Sequence, residues 1–265
     1  MTMNIVKQTN FKPVETGYVI DGSRPVMTFV AEIHGQICPD FHEHPRGQLM
    51  YASAGVKKVI TEKGMWVVPP LQAVWIPGGV SHRAEFSGRT LVKNLFFDPS
   101  CAHRLPDRCF VMSVSPFLRE LIAKFCNTSD SDKLANLSAV LVDEIAEAKE
   151  EPFCLPAASS HLLVRIMQYL DENPSCRKTL DEWAVEANTS PRNFARMFLK
   201  ETGMTFGAWR KRLKVIKAVQ MMDSGMSVTE TAYDLGYQSI SAFIESFRKE
   251  TGSPPARYLK SSASQ

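Results

Sequence analysis

The sequence predicts an α+β chain of two domains, an N-terminal small β-barrel followed by helices and a C-terminal all-α domain with two helix-turn-helix units. Three observations carry that expectation. One helical unit occurs twice, since Ser190–Gly203 returns 49 positions later as Ser239–Gly252 with Lys-Glu-Thr-Gly unchanged. Upstream, short segments alternate apolar and polar residues between Gly, Pro and Ser, as antiparallel strands do. Between the two regions Glu150–Pro156 holds two prolines and no periodicity, which reads as a linker, assigned to residues 151–160. At 265 residues the chain is long enough for two cores.

The barrel is expected over residues 1–112. Apolar residues alternate in Val26–Val30, and Leu49–Tyr51 precedes Gly55, which breaks the run before Lys57–Thr61. Met65–Val68, Ala73–Ile76, His82–Phe86 and Thr90–Phe97 follow. In extended chain, positions i and i+2 share a face, so His42 and His44 point into one interior, and a Pro-Gly turn at Pro77 delivers His82 from a neighbouring strand. This arrangement resembles the two cupin motifs, in which His-x-His, a Glu and a later His hold a metal inside a small barrel. Gln48 stands in the place of the cupin Glu, and Phe86 in the place of the Asn that closes the second motif. The resemblance implies a divalent metal on His42, His44 and His82, with an open position for water or effector. The missing carboxylate keeps a plain apolar pocket as the alternative. Gln48, Trp75 and Phe86 are expected to line an effector pocket, while His34 and His103 read as structural or exposed.

Residues 113–150 read as helical. Ser115 caps an amphipathic helix to Phe125, a polar break follows, and Lys133 to Lys149 carries Leu134, Leu137, Leu141, Ile145 and Ala148 at three–four spacing. This stripe is expected either to form a dimer or to pack on the chain's own barrel.

The all-α domain is expected over 161–260, opened by a helix from His161 to Leu170, with a frayed tail from Ser261. Thr179-Leu-Asp-Glu182 is a capping box, in which the hydroxyl and the glutamate satisfy orphan amides reciprocally. Leu180, Ala184 and Ala187 mark the inner face of a short helix. Ser190 caps a second, with Pro191 at its first position and Gly203 past its end. Ser227-Val-Thr-Glu230, the Gly236-Tyr237 turn and the helix from Ser239 to Thr251 repeat the plan. These are helix-turn-helix units, at 179–200 and 227–250. The joining helix, Phe206 to Ser224, holds five cations in Arg210–Lys217. From Pro156 onward there are 15 Lys and Arg against 11 Asp and Glu, whereas the first 155 residues hold 16 against 17. The basic excess lies in the half that carries the repeats.

With Ala232–Tyr237, Phe243, Phe247 and Thr251–Tyr258 as markers, Leu162–Leu259 resembles the DNA-binding domain of the AraC/XylS family of bacterial transcription regulators. The resemblance implies two helix-turn-helix units held by a rigid helix, reading successive major grooves about 34 Å apart. It places Arg192, Asn193 and Arg196 of the first unit against bases, with Ile240, Ser241 and Glu245 as the corresponding positions of the second, flanked by Gln238. Arginine suits guanine, and a carboxylate suits cytosine N4. Ser190, Lys200, Arg210, Lys211 and Ser239 are expected to contact phosphate.

No apolar run is long enough to span a bilayer, no signal-peptide pattern begins the chain, and six scattered cysteines form no Cys-x-x-Cys pair. A cytoplasmic chain with reduced thiols is expected. The functional expectation is a one-component transcription regulator and no enzyme, with operator DNA, a small-molecule effector, a second copy of itself and, for an activator, RNA polymerase as partners. The rival expectations are a cupin metalloenzyme fused to a DNA-binding domain and an effector-independent regulator.

Overall fold

A computed structural model describes residues 6–8, 15–34, 40–52, 56–69, 72–86, 89–151 and 153–258. Gly55, Cys38 and the tail from Ser261 lie outside them. The described residues divide into two compact units, 1–61 with 66–151, and 62–65 with 152–265.

The first unit is built of two sheets. The larger runs β1 (Val6–Gln8), β2 (Val26–His34), β8 (Arg89–Phe97), β3 (Gly47–Ala52), β6 (Gln72–Ile76), β9 (Phe110–Ser113), β10 (Glu150–Glu151). The smaller pairs β4 (Lys57–Thr61) with β7 (His82–Phe86), with β5 (Gly64–Val68) on the other side of β4. Register sorts the side chains of the larger sheet into two faces. Leu49 pairs with Trp75 and Leu95 on one, and Gln48 with Ile76 and Phe96 on the other.

The Leu49 face is covered by helices. Ser115 accepts the amide of Leu118 and Pro116 begins α2 (Pro116–Cys126), whose Leu118, Leu121, Ile122 and Phe125 follow a 3.6-residue period. Asp130 caps α3 (Ser131–Ala146), which buries Leu141, Val142 and Ile145. These side chains share one core with Leu49, Tyr51, Trp75, Leu95 and Phe97, each buried aliphatic or aromatic contributing about 1.5–3 kcal/mol. The stripe expected to face a second copy or the barrel therefore packs on the chain's own sheet, Leu134, Leu137 and Ala148 included. A four-residue α1 (Pro99–Ala102) lies between β8 and β9. The expected linker also carries structure: Glu150 and Glu151 pair with Met112 and Val111.

The second unit begins with β11 (Cys154–Pro156), followed by α4 (His161–Glu172), α5 (Leu180–Glu186), α6 (Pro191–Thr202), α7 (Phe206–Asp223), α8 (Val228–Asp234) and α9 (Ile240–Thr251). Both expected capping boxes are formed, Thr179 with Glu182 and Ser227 with Glu230. The turns differ by one residue, because α5 and α6 are four residues apart and α8 and α9 five. Each bends through a left-handed position, Asn188 at φ 48° and Gly236 at φ 76°. Phe194 and Phe198 stack edge-on against Phe206 of α7, and Phe243 and Phe247 against Tyr237 and Tyr258. The repeated aromatic pair thus gives each unit its own small core.

Candidate functional site

Two constellations stand out, one in each unit. In the first unit the three histidines come together, as the motif spacing suggests. His42 and His82 are joined by two backbone hydrogen bonds of 3.0 and 2.8 Å, which bring β7 against the segment before β3. Gly79 donates to the His44 carbonyl at 2.9 Å, and a Cβ at Gly78 would stand 2.1 Å from the Pro45 oxygen, so this close crossing requires glycine. One ring nitrogen from each imidazole falls within 4.8 Å of the others.

The tautomers follow from the hydrogen bonds. Nδ1 of His42 faces the Asp40 carbonyl at 3.2 Å, that of His44 faces Arg46 O at 2.7 Å, and that of His82 faces Val80 O at 2.8 Å. A carbonyl only accepts, so each Nδ1 carries the proton and each Nε2 keeps its lone pair. Burial lowers the pKa of His82 to about 3 and depresses that of His44, so both rings are neutral at physiological pH. Nε2 of His82 is buried without a partner. Such carbonyl-fixed imidazoles fit a divalent metal, whose ligating histidines almost always donate the other ring nitrogen in this way.

Gln48 lies 3.1 Å from His44 Nε2, so it belongs to this site. The near atom is Oε1, and because His44 Nδ1 already donates to Arg46 O, the amide turned over donates its N–H to Nε2 instead, a contact that a metal on that nitrogen would replace. Trp75 does not belong. It sits on the opposite face of the larger sheet, in the helix-covered core, with its indole N–H donated to Pro106 O at 2.8 Å. Its apolar character gave no sign of which face its strand would turn it to. Phe86 shares the inward face of β7 with His82 but pairs with Lys57 at the far end of that strand, four residues or about 13 Å away.

Sequence reasoning missed Arg46. Its fully buried guanidinium donates to the carbonyls of Val19, Asp21, Pro25 and Phe96 and pairs with Asp98 at 3.1 Å. It thereby holds the Glu15–Asp21 segment beside His44, so closely that a Cβ on Gly17 would come 2.8 Å from the His44 ring. An arginine between the histidine pair and a buried strand was the available signal.

In the second unit the recognition surfaces are α6 and α9. Phe194 and Phe198 face inward, leaving Arg192, Asn193, Arg196 and Lys200 exposed on α6. Arg196 donates to Asn193 Oδ1 at 2.8 Å, which holds the two polar groups as one element. On α9, Ser241 and Glu245 are exposed, as are Gln238 and Ser239 before it, while Ile240 is half-buried. Ser190 and Ser239 both cap their helices, accepting the amides of Asn193 and Ala242 at 3.2 Å. Lys249, which the repeat places where Lys200 stands, is likewise exposed.

The cation run of α7 needs correction. Arg210 donates to the carbonyls of Cys176 and Lys178 and lies over the Phe206 ring, so it braces α7 against the turn before α5 and is not directed at phosphate. Arg212 donates to Cys154 O, Lys214 to Leu235 O, and Lys217 pairs with Asp171. Among the described residues Lys211 alone of the five is exposed with no such tie.

Two capped helix pairs braced on one basic helix define a DNA-binding regulator. Residues 183–261 match the helix-turn-helix domain family. The HTH-type transcriptional regulator NimR of Escherichia coli K12 is 36% identical over 222 residues, 82% of this chain and 81% of that protein. The thermoregulatory protein LcrF of Yersinia pestis is 25% identical over 236 residues, 80% of this chain and 85% of that protein. ToxT of Vibrio cholerae O395 is 13% identical over a match that covers 89% of this chain and 97% of that one, at a TM-score of 0.38. The chain belongs to the AraC/XylS family of helix-turn-helix transcription regulators. No helix among the described residues is long and apolar enough to cross a membrane.

Proposed function

We propose that this DNA-binding regulator is controlled through its N-terminal sheets, by a divalent metal or a small ligand held at His42, His44 and His82. The supporting observation is that all three imidazoles have Nδ1 tied to a backbone carbonyl and gather their other nitrogens at one place. A bound divalent ion would supply a Lewis-acid position open to a ligand atom. The protein's own part is to hold His44 and His82 neutral, through burial, and all three rings oriented, through the carbonyls of Asp40, Arg46 and Val80. Among the described residues the gathered group is the three histidines, with no Asp or Glu in it, which favours sensing over turnover. On DNA, α6 and α9 enter successive major grooves. Arg192, Asn193 and Arg196 carry most of the base reading, with Gln238, Ser241 and Glu245 adding to it and Lys200, Lys211 and the capped helix starts meeting phosphate. The regulator works in the cytoplasm as a homodimer and, where it activates, beside RNA polymerase.

The test is the zinc content of the full chain after equilibration and gel filtration, beside His82→Gln. Close to one ion per chain, lost in a variant with an unchanged circular dichroism spectrum, supports the proposal. Wild-type protein with no more zinc than the variant sinks the metal half of it.

A further inference from the structure

We propose that the interior behind the three histidines binds a small molecule with a carboxamide-like edge, a hydrogen-bond donor beside an acceptor, and that Asn94 reads that edge. The inference rests on the reading of this unit as an effector sensor and adds the chemistry of the effector to it.

Asn94 lies in the middle of β8. Alternation along that strand puts Leu95 and Phe97 in the helix-covered core and Asn94 on the opposite face with Phe96, whose ring lies 5.3 Å from that of His44. Its neighbours across the sheet are Met50 on one side and Phe29 on the other, both apolar. Asn94 has no exposed surface, and neither its Nδ2 nor its Oδ1 has a hydrogen-bond partner. Leaving one buried donor or acceptor unpaired forfeits its hydration without replacement, and Asn94 leaves both. It caps no helix and closes no turn, and two positions away Val92 fills the same face with a plain hydrocarbon. Nε2 of His82 is likewise buried and unpartnered. Two residues along a strand span about 7 Å, so one small ring system reaches from Phe96's level, beside the imidazoles, to Asn94.

The side-chain amide sets the ligand class. Asparagine offers an N–H and a carbonyl side by side, the pairing it uses against the donor–acceptor edge of adenine. A carboxamide, urea or lactam satisfies both atoms at once. A carboxylate has acceptors only and would face Oδ1 with an anion.

The test uses the full chain with zinc, titrated calorimetrically with isonicotinamide, isonicotinate and pyridine. Isonicotinamide is expected to bind at least tenfold more tightly than the other two. The preference should fall to within a factor of two in Asn94→Leu and in the smaller Asn94→Ser. Because Asn94→Leu removes an unsatisfied buried amide, its ligand-free Tm should rise by about 2–4 °C. Equal affinity for the three probes in the wild type, or a preference unchanged in both variants, overturns the proposal. Zinc stoichiometry on the same samples separates the two readings. An amide preference without bound zinc keeps this inference and removes the metal, whereas bound zinc without an amide preference keeps the metal and removes this inference.

Discussion

Residues of one chemical type do different work along this chain, and partners decide which. Arg196 stands exposed with its guanidinium on Asn193, whereas Arg210 is turned onto two backbone carbonyls. Arg196→Ala should cost about 1–3 kcal/mol against the preferred site and relax selection at one base, measured by binding-site selection with randomised DNA. A uniform loss across all sequences would make Arg196 a phosphate contact. Arg210→Ala should instead lower Tm and leave the salt dependence of DNA binding unchanged. Lys211→Ala should leave Tm unchanged and reduce that slope by about 1. If the two variants exchange these effects, the assignment of the α7 cations is wrong. Arg46→Met strands Asp98 and four carbonyls in the interior. It should destabilise the first unit by about 3–5 kcal/mol in a urea titration, and a loss under 1 kcal/mol would show that water replaces the guanidinium.

Elements formed where local chemistry was sufficient to specify them. Thr179 and Ser227 stood out as caps in the sequence because a hydroxyl before an apolar period, with Glu three residues on, has few other uses, Ser190 stood out because Pro191 follows it, and all three accept the expected amides. Thr179→Ala or Ser227→Ala should each cost about 1 kcal/mol by thermal unfolding, with no change implying that the boxes fray in solution. The histidine triad was readable for a similar reason, since two-residue spacing fixes a shared face whatever the fold around it. What was not readable depends on long-range pairing. Nothing in the local pattern tells which face of β6 Trp75 takes, because both faces of that strand are buried. Nor does the charge run of α7 reveal that Cys176, Lys178 and Leu235 offer carbonyls to it. The stripe of α3 was equally suited to a partner and to its own sheet, and the packing of Leu141, Val142 and Ile145 decides for the sheet. Leu141→Ala should accordingly lose about 2–5 kcal/mol of stability. A change of oligomeric state without that loss would return the stripe to an interface.

At the scale of the whole molecule, the histidine triad and the two helix-turn-helix units reside in different compact units of one chain. A regulator of this kind works by linkage: whatever binds the sensor must favour one DNA-binding state over the other, and the coupling is reciprocal, about 1–3 kcal/mol in ordinary cases. The measurement that bears most directly on this is operator affinity of the full chain, on a site obtained by selection, with saturating zinc and with a chelator. The affinity should differ by roughly 5–150-fold between the two conditions, and the difference should vanish in His82→Gln while sequence preference remains. Identical binding curves for wild type under both conditions, with zinc shown to be bound in one of them, would contradict control through the triad and leave a regulator whose DNA binding ignores its histidines.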